Sequence, residues 1–193
     1  MRLVILVRHG ESTLNASGLV NGDPAVDVPL TEQGEAEAAS LAVQLAGIEL
    51  DLCVCTRFGR TRQTAELALA AREVPIEVEP LLDDIDVGRL EGCPIEDYRA
   101  WKRVHERADP FPGGESLDAA ANRYAAGFDR LLERPEQRIL VVCHEIPVRY
   151  AVNAAGGSAE LDGPAHAVRN CVPHLFDEPG LRRAAERMRM LTG

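Results

Sequence analysis

Positive charge is scarce in this chain of 193 residues: 21 Lys and Arg stand against 31 Asp and Glu, a formal net charge of −10. Nucleic acid and anionic membrane surfaces bind through an excess of basic groups, so neither is expected as the main partner. Long hydrophobic runs are missing too. The N-terminal one, Leu3 to Val7, is five residues long, follows a single Arg and runs into charge, so neither a signal peptide nor a membrane span is expected there. Cysteines number five, at 53, 55, 93, 143 and 171, with no C-x-x-C pair and no framework spacing. An odd count leaves one unpaired and points to a reducing cytoplasm, with Cys53, Cys55 and Cys143 read as small buried hydrophobes. Internal repeats, low-complexity tracts and a linker are also absent, so residues 1–193 read as one domain.

Apolar residues make up 46% of the chain, ample for a core, and their spacing alternates between two periods. Short β-branched runs at Leu3 to Val7, Leu50 to Cys55, Ile76 to Val78 and Ile139 to Cys143 read as strands, with a fifth at Cys171 to Phe176 interrupted by Pro173. Between them, helical spacing covers Thr31 to Ala46, Arg60 to Arg72, Ile95 to Glu106, Leu117 to Glu133, Pro147 to Ala155 and Leu181 to Met190. Thr31 and Ser116 are placed as N-caps, Gly47 as a helix end, and residues 156 to 169 as a loop. The alternation predicts a three-layer α/β fold, a mainly parallel sheet with helices on both faces.

Open α/β sheets keep their sites at the carboxyl ends of the strands, and the polar residues of this chain collect at those positions. The first run empties into Arg8, His9 and Gly10, with Ser12 and Asn15 following. The second ends at Thr56, Arg57 and Arg60, the third leads to Asp83, Asp84 and Asp86, and the fourth ends at His144. Two histidines, several arginines and a carboxylate on one edge suit an anion-handling site, its basic groups focused in a cleft despite the acidic exterior.

Six elements occur in order: Arg8-His-Gly-Glu-Ser12 with Asn15; Asp27-Val-Pro-Leu-Thr-Glu-Gln-Gly34; Arg60-Thr-Arg-Gln-Thr-Ala65; the acid loop from Leu82 to Gly92; Pro112-Gly-Gly-Glu-Ser116; and Val141-Val-Cys-His144. Together they resemble the histidine phosphatase superfamily, also called the phosphoglycerate mutase-like family, over residues 3 to about 150. The resemblance implies that His9 is a nucleophile accepting a phosphoryl group, with Arg8, Arg60 and His144 as the clamp on its oxygens. It selects Arg60 over Arg57 and Arg62, leaving Arg62 as a solvated helix side chain. It places the general acid, usually a Glu, at Asp84, with Asp83, Asp86 and Glu91 as substitutes. Asn15 and Ser12 are expected to donate to phosphate oxygens, although capping is an equally ready use for Ser12. Glu11 and Glu115 are expected to orient arginines, and Gly10 to let the backbone turn close to the ligand.

The expected activity is that of a phosphomonoesterase acting on a small phosphate ester through a phosphohistidine on His9, without metal or cofactor. A phosphoglycerate mutase-type transfer and a phospholigand-binding protein without turnover are the other two readings; the short chain favours hydrolysis. Residues 93 to 113, with Tyr98, Arg99, Trp101, Lys102, Arg103 and His105, form the expected lid or specificity segment. Packing is the expected role of Trp101, and Arg99 or Arg103 could meet a second anionic group. Oligomeric state has no signal in the sequence.

Overall fold

The computed structural model describes residues 2–193. Five strands, β1 (Leu3–Arg8), β2 (Leu52–Cys55), β3 (Ile76–Val78), β4 (Arg138–Cys143) and β5 (His174–Asp177), form one sheet in the order β3-β2-β4-β1-β5. The β1–β4, β2–β4 and β2–β3 pairs are parallel, and β5 runs antiparallel on the edge beside β1. Among the described residues seven α-helices accompany them: α1 (Thr13–Ala16), α2 (Glu32–Gln44), α3 (Gly59–Ala68), α4 (Ile95–Val104), α5 (Leu117–Glu133), α6 (Glu145–Ala155) and α7 (Glu178–Met190). Among the described residues, no helix is long and apolar enough to cross a membrane.

Unbroken apolar runs in β1 and β4 follow from burial on both faces. Successive side chains point to opposite sides of a strand, so Val4 and Leu6 enter one core with Ile139 and Val141, while Ile5 and Val7 enter the other with Leu140 and Val142. The first core is closed by α5, α6 and α7 through residues such as Phe128, Tyr150 and Met188, the second by α2 and α3 through Leu41 and Ala65. The three-layer architecture expected from the sequence is therefore observed. Cys53, Cys55, Cys143 and Cys171 are buried free thiols.

Element ends differ where cap and proline chemistry overrides periodicity. Strand β5 begins at His174 rather than Cys171, because Pro173 has no N–H for the ladder and Cys171 adopts a left-handed φ of 54°. Helix α6 begins at Glu145, two residues before Pro147, since a proline in the first turn forgoes an N–H that lacks a helical partner anyway. Helix α7 begins at Glu178 because the Asp177 side chain accepts the Gly180 N–H at 2.7 Å. Thr31 and Ser116 cap α2 and α5 as expected, while α2 ends at Gln44, ahead of Gly47, and α3 ends at Ala68.

Gly10 has a different use from the one expected. A Cβ there would lie 2.4 Å from the Gly34 carbonyl oxygen, and one on Gly34 would lie 2.1 Å from the Glu11 carbonyl oxygen. The crowding partner is thus the first turn of α2, not a ligand, and it presses the turn after β1 against that helix. Gly34→Ala is expected to destabilise the fold by about 2 kcal/mol or more, a fall in Tm of roughly 4–8 °C; an unchanged melting curve would refute this close approach.

Candidate active site

The parallel strands deliver the site to one edge of the sheet. The His9 N–H bonds the Cys143 carbonyl at 3.0 Å, carrying the β1–β4 ladder one residue beyond the strands, so that His9 and His144 emerge side by side. Their rings meet edge-on with centroids 5.4 Å apart, and both are buried. His9 Nδ1 lies 2.6 Å from the carbonyl oxygen of Gly10. Only an N–H is attracted to a carbonyl, so Nδ1 carries the proton and Nε2 carries the lone pair. That lone pair accepts from Arg60 Nε at 2.9 Å.

Arg60, in the first turn of α3, is buried and joins the remaining parts. Its Nη2 lies 3.2 Å from both His144 Nδ1 and Asp84 Oδ2, and the guanidinium stacks on Phe58 with its carbon 4.3 Å from the ring centroid. Donor counting settles the second imidazole. The Thr61 hydroxyl donates to the Phe58 carbonyl at 2.8 Å, the Thr56 hydroxyl donates to Thr61 Oγ1 at 3.0 Å, and His144 Nε2 therefore donates to Thr56 Oγ1 at 2.9 Å. His144 Nδ1 is left as an acceptor facing Arg60, 3.3 Å from Asp84 Oδ2.

Burial, then Arg60 and Arg8, hold His9 well below the ordinary imidazole pKa, against the small opposing pull of the Gly10 carbonyl. Burial and then Arg60 do the same to His144, so both rings are neutral near pH 7. Asp84 is displaced upward: burial favours its protonated form by more than the charge of Arg60 opposes it.

Of the four carboxyls considered for the acid role, only Asp84 reaches both Arg60 and His144. Asp83 is held by the backbone N–H of Arg57 at 2.9 Å and by its guanidinium. Asp86 caps Gly88 N–H at 2.9 Å, and Glu91 accepts from Asn21 Nδ2 at 2.7 Å and from the Gly22 N–H at 2.6 Å. The acid loop is fastened from behind by Arg123 of α5, which donates to the carbonyls of Leu81 and Asp83 at 2.9 Å and of Asp84 at 3.2 Å while paired with Glu115. Neither Arg123 nor Asn21, which holds Arg60, carries a local sequence signal; their roles exist only through contacts across distant segments.

Arg8, His9, Asn15, Arg60 and Asp84 line one cavity of about 530 Å³. Ser12 is not brought to it. Its side chain accepts the Asn15 N–H, and its own N–H bonds Asn15 Oδ1, both at 3.3 Å, because the start of α1 has donors to satisfy. Ser12 thus secures Asn15, whose side-chain amide N–H groups are the ones left for the cavity. Glu11 orients no arginine: its carboxylate accepts from Thr31 Oγ1 at 2.8 Å. In α4, Trp101 packs on Phe111 and His105 with centroids 4.3 and 4.0 Å apart, while Tyr98 and Lys102 line the cavity. Arg99 also lines it but is paired with Glu96 at 2.6 Å, and Arg103 does not reach it.

A model of the histidine phosphatase superfamily, branch 1, matches residues 4–179. The chain belongs to this superfamily. As a histidine phosphatase superfamily member it is 34% identical over 149 residues to the adenosylcobalamin/alpha-ribazole phosphatase of Escherichia coli K12, covering 72% of each chain. It is 32% identical over 179 residues to a probable phosphoglycerate mutase GpmB of Salmonella choleraesuis, covering 89% of this chain and 82% of that one. In structure it resembles a putative alpha-ribazole-5'-P phosphatase from E. coli K-12, with a TM-score of 0.79, 28% identity and coverage of 90% and 89%. Histidine phosphatase superfamily membership and these relatives support a role in phosphoryl transfer.

Proposed function

We propose that the chain is a cytoplasmic phosphomonoesterase that hydrolyses a small phosphorylated metabolite through a phosphohistidine on His9. The observation that carries this reading is the fixed tautomer of His9, its Nε2 lone pair shared with Arg60, beside a carboxyl that burial biases toward its protonated form. A phosphoryl group spreads charge over three oxygens as it transfers, so the enzyme's task is alignment and neutralisation. Arg8, Arg60 and the Asn15 amide donate to those oxygens, and His144 joins them once the incoming anion favours protonation of Nδ1.

His9 Nε2 forms the N–P bond as the ester P–O bond breaks, and the Asp84 carboxyl passes its proton to the leaving oxygen. Water then attacks phosphorus, Asp84 takes the water proton, the N–P bond breaks, and phosphate leaves with His9 neutral again. No step draws on a metal, so turnover is expected to survive a chelator. Arg60→Lys replaces a fork touching four partners with a point charge, and kcat/KM for an aryl phosphate is expected to fall roughly 10²–10³-fold.

The pH dependence follows from the two displaced groups. His9 must be neutral, which holds above its lowered pKa, so the acid limb lies below the ordinary imidazole range. Asp84 must be protonated, which holds below its raised pKa, so the rate falls as pH rises. A profile of kcat/KM from pH 4 to 9 is expected to peak on the acidic side of neutrality, and a rate climbing steadily to pH 9 would exclude Asp84 as the acid.

The test of the reading is phosphate release across a phosphometabolite panel, alpha-ribazole 5'-phosphate included because of the relatives named above. The GpmB-named relatives supply a second reading, mutase transfer. Faster conversion of 3-phosphoglycerate to its 2-isomer than release of phosphate would decide for it.

A further inference from the structure

Glu145, the first residue of α6, places a carboxylate in a cavity otherwise built to hold an anion, and the hydrolytic scheme gives it no step. Its Oε2 forms an ion pair with Arg8 Nη1 at 2.7 Å and its Oε1 accepts from Arg149 Nη1 at 3.1 Å. Arg149 is itself tied to Asp162 at 2.8 Å and to the His166 carbonyl at 3.2 Å, so Glu145 is held from both sides. A carboxylate has about four acceptor positions; even with both arginines facing it, acceptor capacity is left on the side chain that lines the cavity. Its charge reaches the reacting end, since it adds to the upward displacement of Asp84. The same cavity is walled by Val87, Ile95, Tyr98 and Ile146, which suit the partly apolar organic half of an ester.

We propose that Glu145 is a specificity-determining residue: it accepts hydroxyl or N–H donors from the organic group of the ester and rejects esters bearing a second anionic group close to the phosphate. This inference rests on the phosphomonoesterase reading. The phosphate can still bind, because Arg8 and Arg60 outweigh one carboxylate there. A second anion beside it faces Glu145, with Arg8 already shared, Arg149 already paired twice, Arg99 paired with Glu96 and Lys102 lying 4.0 Å from Asp162.

Glycerol 3-phosphate and 3-phosphoglycerate provide the test, since they share a skeleton and differ in a hydroxymethyl group against a carboxylate. The purified chain is expected to favour glycerol 3-phosphate in kcat/KM by about tenfold or more. Glu145→Gln keeps the shape and removes the charge, and should shrink the preference to about threefold or less. If Glu145 only positioned Arg8, the variant would slow both esters together and leave the ratio unchanged, which overturns the proposal. Equal rates on the two esters with the wild-type chain overturn it as well, whatever the variant's folding. Where turnover of both is slow, the same ratio is read from their competitive inhibition constants against p-nitrophenyl phosphate. No phosphate release from p-nitrophenyl phosphate either would refute the hydrolase reading itself, a separate outcome.

Discussion

Alanine in place of His9 is expected to abolish phosphate release, lowering kcat for p-nitrophenyl phosphate by about 10⁴-fold or more. The size of the effect follows from what remains. Arg8 and Arg60 would still bind and neutralise a phosphate, but the other imidazole that lines the cavity, His166, is exposed and makes no hydrogen bond to Arg60. His144 has its Nε2–H on Thr56, and its Nδ1 faces Arg60 and Asp84. The variant should therefore still bind phosphate or vanadate, measurable by calorimetry, while forming no acid-labile phosphoenzyme on brief exposure to labelled substrate. Substantial residual turnover would mean that the nucleophile is water or another side chain, and the phosphohistidine scheme would fall.

The second large effect is expected from Asp84→Asn, a loss of about 10²–10⁴-fold that depends on the leaving group. An alkoxide leaves poorly without a proton, whereas p-nitrophenolate leaves readily by itself, so alkyl esters should lose far more activity than the aryl ester. Loss of the alkaline limb of the pH profile should accompany it, because the group whose ionisation creates that limb is gone. The geometry makes the test selective: Asp84 Oδ1 accepts the Ile85 N–H at 3.0 Å and its backbone is fastened by Arg123, so asparagine can keep the loop in place. Equal losses on both kinds of ester would point to a role in holding Arg60 rather than in protonation.

Much of the fold was legible because both periods were clean. The apolar runs of β1 and β4 match their burial on two faces, and the caps of α2 and α5 lie where Thr31 and Ser116 mark them. Misplaced ends arose where a short-range polar contact outranked periodicity, as at Asp177, or where a backbone conformation ended a ladder, as at Cys171 and Pro173. The short helix α1 was missed for the same reason: its capping box uses the Ser12 hydroxyl and the Asn15 side-chain oxygen, on two residues that read from the sequence as phosphate ligands.

Strand-exit chemistry and the order of six motifs sufficed to determine the α/β class, the family and the group of residues around His9, because a parallel sheet brings its carboxyl ends to one edge whatever its loops do. What only the tertiary structure decided is how those residues divide the work. The Gly10 carbonyl leaves Nε2 as the lone-pair nitrogen of His9, and contact with both Arg60 and His144 separates Asp84 from three neighbouring carboxyls. Arg123 and Asn21 entered the site from segments with no motif, and Glu145 from the position just after the last motif's histidine. Residue types and spacing along a chain record which chemistry is available; protonation state and specificity depend on distances of a few ångströms between segments, which exist only once the chain has packed.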